Sequence, residues 1–169
     1  MSQRTILFKG NPLRLEGPEI KTGDKAPEFK VLDEGLNPVS LSDFSGKVRL
    51  ISVVPSLDTQ VCEMQTRRFN EEASKLPENV AIMTVSMDLP FAQKRFCSTH
   101  GIDRVKVLSD HREASFGMAY GVLIPELRLL ARSIFVVDAQ DMVRYTEIVP
   151  EVTTHPDYDK ALAAARELA

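Results

Sequence analysis

The chain has 169 residues, 43% hydrophobic and 27% charged, and its 21 basic and 24 acidic side chains leave a net charge of −3. That length and composition suit one globular domain, 1–169, able to bury a core without covalent staples. The charge balance excludes a strongly basic nucleic-acid binder, and no apolar run approaches the roughly 18 residues of a membrane span, so neither nucleic acid nor membrane is an expected partner.

The opening stretch MSQRTILFKGNPLRL alternates apolar and polar residues and lacks the continuous apolar core of a secretion signal. Short alternating runs at 5–8 and 13–15 flank Lys9-Gly10-Asn11-Pro12, which predicts a β-hairpin over 1–17. An extended segment follows at 26–32. A turn at Asn37-Pro38 leads to a short strand at 39–41, and 41–44 reads as one helical turn stopped by Gly46. Residues 47–54 (KVRLISVV) are almost continuously apolar and β-branched, the pattern of a strand buried on both faces. Pro55 ends it. A helix from 58 or 59 to 76 comes next, with Val61, Met64, Phe69, Ala73 and Leu76 on its expected inward face.

Residues 80–86 (VAIMTVS) predict a second buried strand. Pro90 opens a helix that ends at Gly101, each at its favoured position. A strand at 105–108, a short helix at 114–120, a long strand at 128–137 and a further strand at 142–148 precede a closing helix over 156–168. No repeat or low-complexity segment interrupts the order. Alternating strands and helices imply an α/β fold with a mixed central sheet and helices on both faces.

Two cysteines are too few for a disulfide framework, so redox or catalytic work is the expected use. Reactive thiols without a secretion signal point to the cytoplasm. Cys62 follows a buried strand and falls at the start of a helix, the junction where open α/β sheets bind ligands. Unpaired N–H groups and the helix dipole there favour a negative charge, and a thiolate is the reactive form of cysteine. Read without its neighbours, Cys62 is more readily a buried structural cysteine than a reactive one. The histidines His100, His111 and His155 show no metal-ligand spacing with the cysteines, and the glycines form no phosphate-binding loop. These residues require no metal or organic cofactor. Arg67-Arg68 and Lys94-Arg95 read as solvated helix faces.

Pro55, Thr59 and Cys62 spell P-x-x-x-T-x-x-C, which resembles the active-site signature of the peroxiredoxins. The string PSLDTQVC with QTRRFNEEA after it is similar to their thiol peroxidase branch. Leu89-Pro90-Phe91-Ala92-Gln93 leading to Cys97, Leu130-Ala131-Arg132 before a strand, the N-terminal hairpin and the ending Thr153-Thr154-His155-Pro156-Asp157-Tyr158 all fit the same branch. Gln60 departs from it, since relatives often carry proline or glycine there.

The resemblance implies a thioredoxin-like α/β/α sandwich with an extra N-terminal hairpin. It assigns Cys62 as the peroxidatic cysteine, which attacks a peroxide oxygen and becomes a sulfenic acid. Cys97 is the resolving cysteine, closing an intramolecular Cys62–Cys97 disulfide that thioredoxin reduces. Thr59 offers a hydroxyl to thiolate and peroxide, though a plain helix cap uses threonine equally well. Pro55 shields the thiolate. Arg132, read alone, is as readily a strand arginine that snorkels to the surface as one that does not; by resemblance it points at Cys62, favouring the thiolate and the charge developing on peroxide oxygens. Peroxide is thus the expected substrate and a homodimer the expected assembly, formed by the loop before Cys62 and the 114–120 helix with Phe116, Met118 and Tyr120 as apolar contacts, although core packing of a short helix suits at least some of those three equally well. Two other readings stand beside this one: a redox sensor or holdase on the same scaffold, and a structural protein with two inert thiols. A disulfide between cysteines on regular helices also requires one or both helices to unwind in part, because its Cα atoms must approach within about 7 Å.

Overall fold

A computed structural model describes residues 3–169; Met1 and Ser2, which fall in the predicted 1–17 hairpin, lie outside the described residues. The chain opens with a hairpin of β1 (Thr5–Phe8) and β2 (Asn11–Arg14). Its turn is tighter than the sequence suggests. Phe8 pairs with Asn11, so Lys9 and Gly10 alone form the loop, at φ 50° and 82°. Two positive φ values give the twist that joins antiparallel strands directly. Pro12 therefore lies inside β2, where it is tolerated because β2, among the described residues, pairs only with β1.

β3 (Lys30–Leu32), β4 (Pro38–Ser40) and a 3-10 turn (Leu41–Phe44) lead to β5 (Val48–Val53), which is buried at every residue, as its apolar run predicts. Next come α1 (Gln60–Ala73), β6 (Val80–Ser86), α2 (Pro90–His100), β7 (Lys106–Ser109) and α3 (Ser115–Ala119). A two-residue pair, β8 (Leu123–Ile124) with β9 (Leu129–Leu130), precedes β10 (Ser133–Val137), β11 (Val143–Ile148) and α4 (Tyr158–Leu168).

Seven strands form one mixed sheet in the order β11-β10-β5-β6-β7-β3-β4. β5, β6 and β7 are parallel, with α1 and α2 as their crossovers, and β10 and β3 flank them antiparallel. Alternate residues of β5 feed two cores. Val48 and Leu50 pack with Phe69 of α1, Phe96 of α2 and Leu162 of α4 on one face. Ile51 and Val53 pack with Phe116 and Tyr120 near α3 and with Ile6 of the hairpin on the other. Arg49, on β5, is fully buried, and its Nη2 donates to Asp138 O at 2.6 Å and Asp141 Oδ1 at 2.7 Å in the turn after β10. Among the described residues, no helix is long and apolar enough to cross a membrane.

Three sequence expectations are corrected. The inward face of α1 carries Cys62, Gln65, Thr66 and Phe69, while Met64 is 48% exposed and Val61 half-buried. Apolar spacing misplaces this face because its buried polar groups find partners inside, as described below. The long strand over 128–137 is two strands broken at Ala131 and Arg132. Arg128 turns at φ 51° out of the β8–β9 loop, and Ala131 N–H still donates to Val122 O before the chain enters the central sheet. Phe116 and Tyr120 are core residues, stacked with centroids 4.4 Å apart and fully buried, so of the three expected dimer contacts only Met118 faces out.

Candidate active site

β5 runs into Pro55 and a short loop, and α1 begins at Gln60 with Cys62 in its first turn. Pro55 is buried, and Cys62 is fully buried as a free thiol. Arg132 arrives from the other direction, one residue before β10, whose first residue Ser133 pairs with Val53 of β5. The antiparallel pairing thus brings the start of β10 to the end of β5, where α1 begins. Arg132 Nη2 donates to Cys62 Sγ at 3.1 Å. Arg132 is only 2% exposed, so its charge acts through little water.

Every nitrogen of that guanidinium has a partner. Nη1 donates to Gln65 Oε1 at 3.0 Å and Nε donates to Val152 O at 2.8 Å. Gln65 in turn donates from Nε2 to Ser52 Oγ of β5 at 2.8 Å. Thr66 Oγ1 donates to Cys62 O at 2.9 Å, within the same helix. These bonds explain why polar residues line the buried face of α1: each is satisfied, as buried polar groups must be. Sequence reasoning missed the role of Gln65, although it opens the QTRRFNEEA string of the resemblance. Its other legible signal was its spacing, three residues after Cys62 and so on the same helix face.

Thr59 sits at the N-cap of α1, exposed, and its hydroxyl donates to Ser56 O at 3.1 Å. It neither reaches Cys62 nor caps the helix with its side chain; its backbone carbonyl accepts Glu63 N–H at 2.9 Å. The loop before α1 is tied instead by Asp88, which no sequence signal marked. Asp88 accepts Ser56 Oγ at 2.9 Å, Leu57 N–H at 2.8 Å and Ser86 Oγ at 2.7 Å. That carboxylate joins the Cys62 loop to the segment that starts α2.

Cys97 lies in the last turn of α2, half-buried, a free thiol packed against the same core as Cys62. Its carbonyl accepts the N–H of Gly101, at φ 65°, and that of Ile102 at 3.0 Å, a left-handed helix end. The thiol is pushed up to about 12, first by burial and then by the Glu34 carboxylate beside it. A cavity of about 660 Å³ lies between the Cys62 loop and α2, lined by Ser56, Leu57, Asp88, Phe91 and Phe96 among others. Phe91 and Leu89 beside it are 67% and 51% exposed. Tyr158 lies at the other side of the site: its ring meets Phe69 edge-on at 5.5 Å and its hydroxyl bonds His155 Nδ1 at 2.7 Å.

A thiol in the first turn of a helix, held by a buried guanidinium on an α/β sheet with a second free cysteine on the next helix, defines a cysteine-based redox protein of thioredoxin-like fold. Residues 21–162 match the Redoxin family. A thiol peroxidase of Halalkalibacterium halodurans is 62% identical over 162 residues, covering 96% of this chain and 97% of the relative. One of Bacillus subtilis is 58% identical over 163 residues, covering 96% and 97%. The crystal structure of a peroxiredoxin-like protein from Aquifex aeolicus superimposes with a TM-score of 0.93 at 46% identity, covering 98% of each chain. The chain belongs to the Redoxin family and, within it, to the thiol peroxidases, enzymes of the peroxiredoxin type.

Proposed function

We propose that this enzyme reduces hydrogen peroxide and alkyl hydroperoxides at Cys62, resolves the product with Cys97, and is recycled by a thioredoxin-type dithiol. The observation that carries the reading is the 3.1 Å contact from Arg132 Nη2 to Cys62 Sγ. In the first step the Cys62 thiolate attacks one peroxide oxygen. The O–O bond breaks, the alcohol or water leaves with a proton, and Cys62 becomes a sulfenic acid. Arg132 favours the charge that develops on the departing oxygen. Pro55 keeps bulk water from the sulfur, and Thr59 serves the peroxide once its hydroxyl turns from Ser56 O.

In the second step the Cys97 sulfur attacks the sulfenic sulfur, and its proton leaves with the hydroxide as water. The resulting disulfide accepts two electrons and two protons from the external dithiol. Cys62 is fully buried and Cys97 is locked in a helix end, so the reading includes partial unwinding of α1 or α2 as the disulfide forms. Identical amide exchange around both cysteines in reduced and oxidised protein would count against that movement. We also propose a cytoplasmic homodimer formed through the Cys62 loop and α3, with Met118, 42% exposed, as an apolar contact. A monomer in sedimentation equilibrium at micromolar concentration would dismiss the dimer.

The test is a coupled assay with thioredoxin, thioredoxin reductase and NADPH, run with hydrogen peroxide and with cumene hydroperoxide. Turnover by the native enzyme that is lost in both Cys62→Ser and Cys97→Ser supports the two-cysteine cycle, and the substrate ratio gives the peroxide preference. Rapid oxidation of Cys62 without turnover favours a redox sensor or a different reductant. An inert Cys62 overturns the reading.

A further inference from the structure

The N-terminal hairpin and residues 150–154 take no part in the chemistry above, yet they are bonded to each other and then to Arg132. Leu7 N–H donates to Pro150 O at 2.7 Å, and Val152 N–H donates to Leu7 O at 2.8 Å. β1 is thereby joined to the 150–152 segment as a short parallel pair. The two turn amides of the hairpin both donate to the Glu151 carboxylate, Lys9 N–H to Oε1 at 2.9 Å and Gly10 N–H to Oε2 at 3.1 Å. The same carboxylate accepts the hydroxyl of Thr153 at 3.1 Å. Amide donors, the Lys9 N–H first among them, hold the Glu151 carboxyl below the usual carboxylate range.

Val152 lies between these ties and the site. Its N–H is used by the hairpin, and its carbonyl accepts Arg132 Nε at 2.8 Å. Val152 is 3% and Arg132 2% exposed, so little water competes for that bond. A guanidinium is a rigid planar fork, so fixing one of its nitrogens aims the others.

We propose that Glu151 is a positioning residue for the peroxidase reaction: by fastening the tip of the N-terminal hairpin to residues 150–154, it fixes the Val152 carbonyl and so aims Arg132 at Cys62. This inference rests on Arg132 acting on the Cys62 thiol as proposed above. The hairpin then serves as a clamp on the active site, although among the described residues none of its side chains bonds the thiol. Misplacing a catalytic group by about 1 Å can slow a reaction by on the order of 10²-fold.

Stopped-flow oxidation of Cys62 by hydrogen peroxide, in a Cys97→Ser background, tests the proposal by comparing Glu151→Ala, Arg132→Ala and the double variant. Glu151→Ala is expected to slow oxidation by roughly tenfold, within the range that loss of active-site positioning produces. In the Arg132→Ala background the same change is expected to add nothing, because the residue it acts through is gone. Equal slowing in both backgrounds would mean general loosening of the fold and would overturn the proposal. Arg14→Ala, which breaks the hairpin's ion pair with Glu126, serves as the control and is expected to leave the rate unchanged. If Glu151→Ala does not fold, Glu151→Gln retains one acceptor oxygen, and faster solvent exchange of the Arg132 Nε–H in its nitrogen-15 spectrum is the expected signature; unchanged exchange overturns the proposal. No loss of rate in Arg132→Ala would instead defeat the underlying role of Arg132.

Discussion

Arg132 donates from Nη1 to Gln65 Oε1 at 3.0 Å, so the cation that reaches Cys62 is held by the same helix that carries the thiol. The thiol and its charge partner therefore share a frame. A shift of α1 carries Gln65 with Cys62 and pulls on Arg132 as it moves.

Gln65→Leu tests this coupling. It keeps much of the volume but leaves Arg132 Nη1 and Ser52 Oγ without their partner. Stripping partners from buried polar groups costs about 1–3 kcal/mol, read as a lower urea midpoint. The rate of Cys62 oxidation by peroxide is expected to fall roughly tenfold, equivalent to about 1.4 kcal/mol of lost transition-state stabilisation. A destabilised variant with an unchanged rate would separate packing from catalysis and refute the coupling.

Asp88 ties the Cys62 loop to the segment leading into α2, through Ser56, Leu57 and Ser86. Asp88→Asn loses the charge behind these bonds and turns a donor amide toward groups that already donate. Stability is expected to fall by about 1–2 kcal/mol. Amide exchange at Leu57 should quicken, and disulfide formation after a peroxide pulse should quicken with it, because the loop opens more often. Unaltered exchange at Leu57 would show that the loop is held by other means.

Burial and Glu34 push the Cys97 thiol up to about 12, so the folded protein keeps it protonated over the ordinary working range. In a Cys62→Ser background, labelling of Cys97 by iodoacetamide should keep climbing past pH 10, whereas the urea-unfolded chain should level off above about pH 9, near the ordinary cysteine value. Between those two values the unfolded chain holds fewer protons than the folded one. Cys97 ionisation therefore lowers stability as pH rises through that window. A plateau in the folded protein near pH 9 would contradict it.

Asp110, 1% exposed, accepts Phe116 N–H at 2.9 Å and Gly117 N–H at 2.8 Å at the start of α3. Burial pushes its carboxyl up to about 6 against the lowering effect of those two amides. The unfolded chain releases this proton near 3.8, so between about 4 and 6 the folded state holds more protons and loses stability as pH rises. The loss is on the order of 1–3 kcal/mol at full ionisation. Urea unfolding at stepped pH should show the slope in the native chain and a reduced slope in Asp110→Asn.

Much of the fold was legible in the sequence because it depends on continuous apolar runs and on terminators. β5 and β6 are such runs, and Pro55, Pro90 and Gly101 end or begin elements where expected. Cys62, Cys97 and Arg132 were legible as a spaced signature, and the structure brings Arg132 to Cys62. The inward face of α1 was not, because Gln65 and Thr66 look like solvent residues until their partners are known. Arg132 looked like part of one long strand, since nothing in RLLARSIFVV marks where one ladder ends and the next begins. The Val152 carbonyl had no side-chain identity to read, and Asp88 contacts the Cys62 loop only through the folding of β6 beside β5.

The buried Arg49 has a consequence far from its own position. β5 and β10 are buried on both faces, so sliding one past the other by a residue would exchange apolar side chains for apolar side chains at little hydrophobic cost. Arg49 lies opposite Val137, at the end of β10, and grips the turn that follows through Asp138 and Asp141. A slip would tear a buried cation from both partners, which makes it expensive. At the other end of the same pairing, Ser133 meets Val53 and Arg132 begins. One residue of slip would carry Arg132 about 3.4 Å along β5 and turn its side chain to the opposite side of the sheet. The sheet thus behaves as a ruler whose zero is set by one arginine and whose far mark, at Cys62, is read by another.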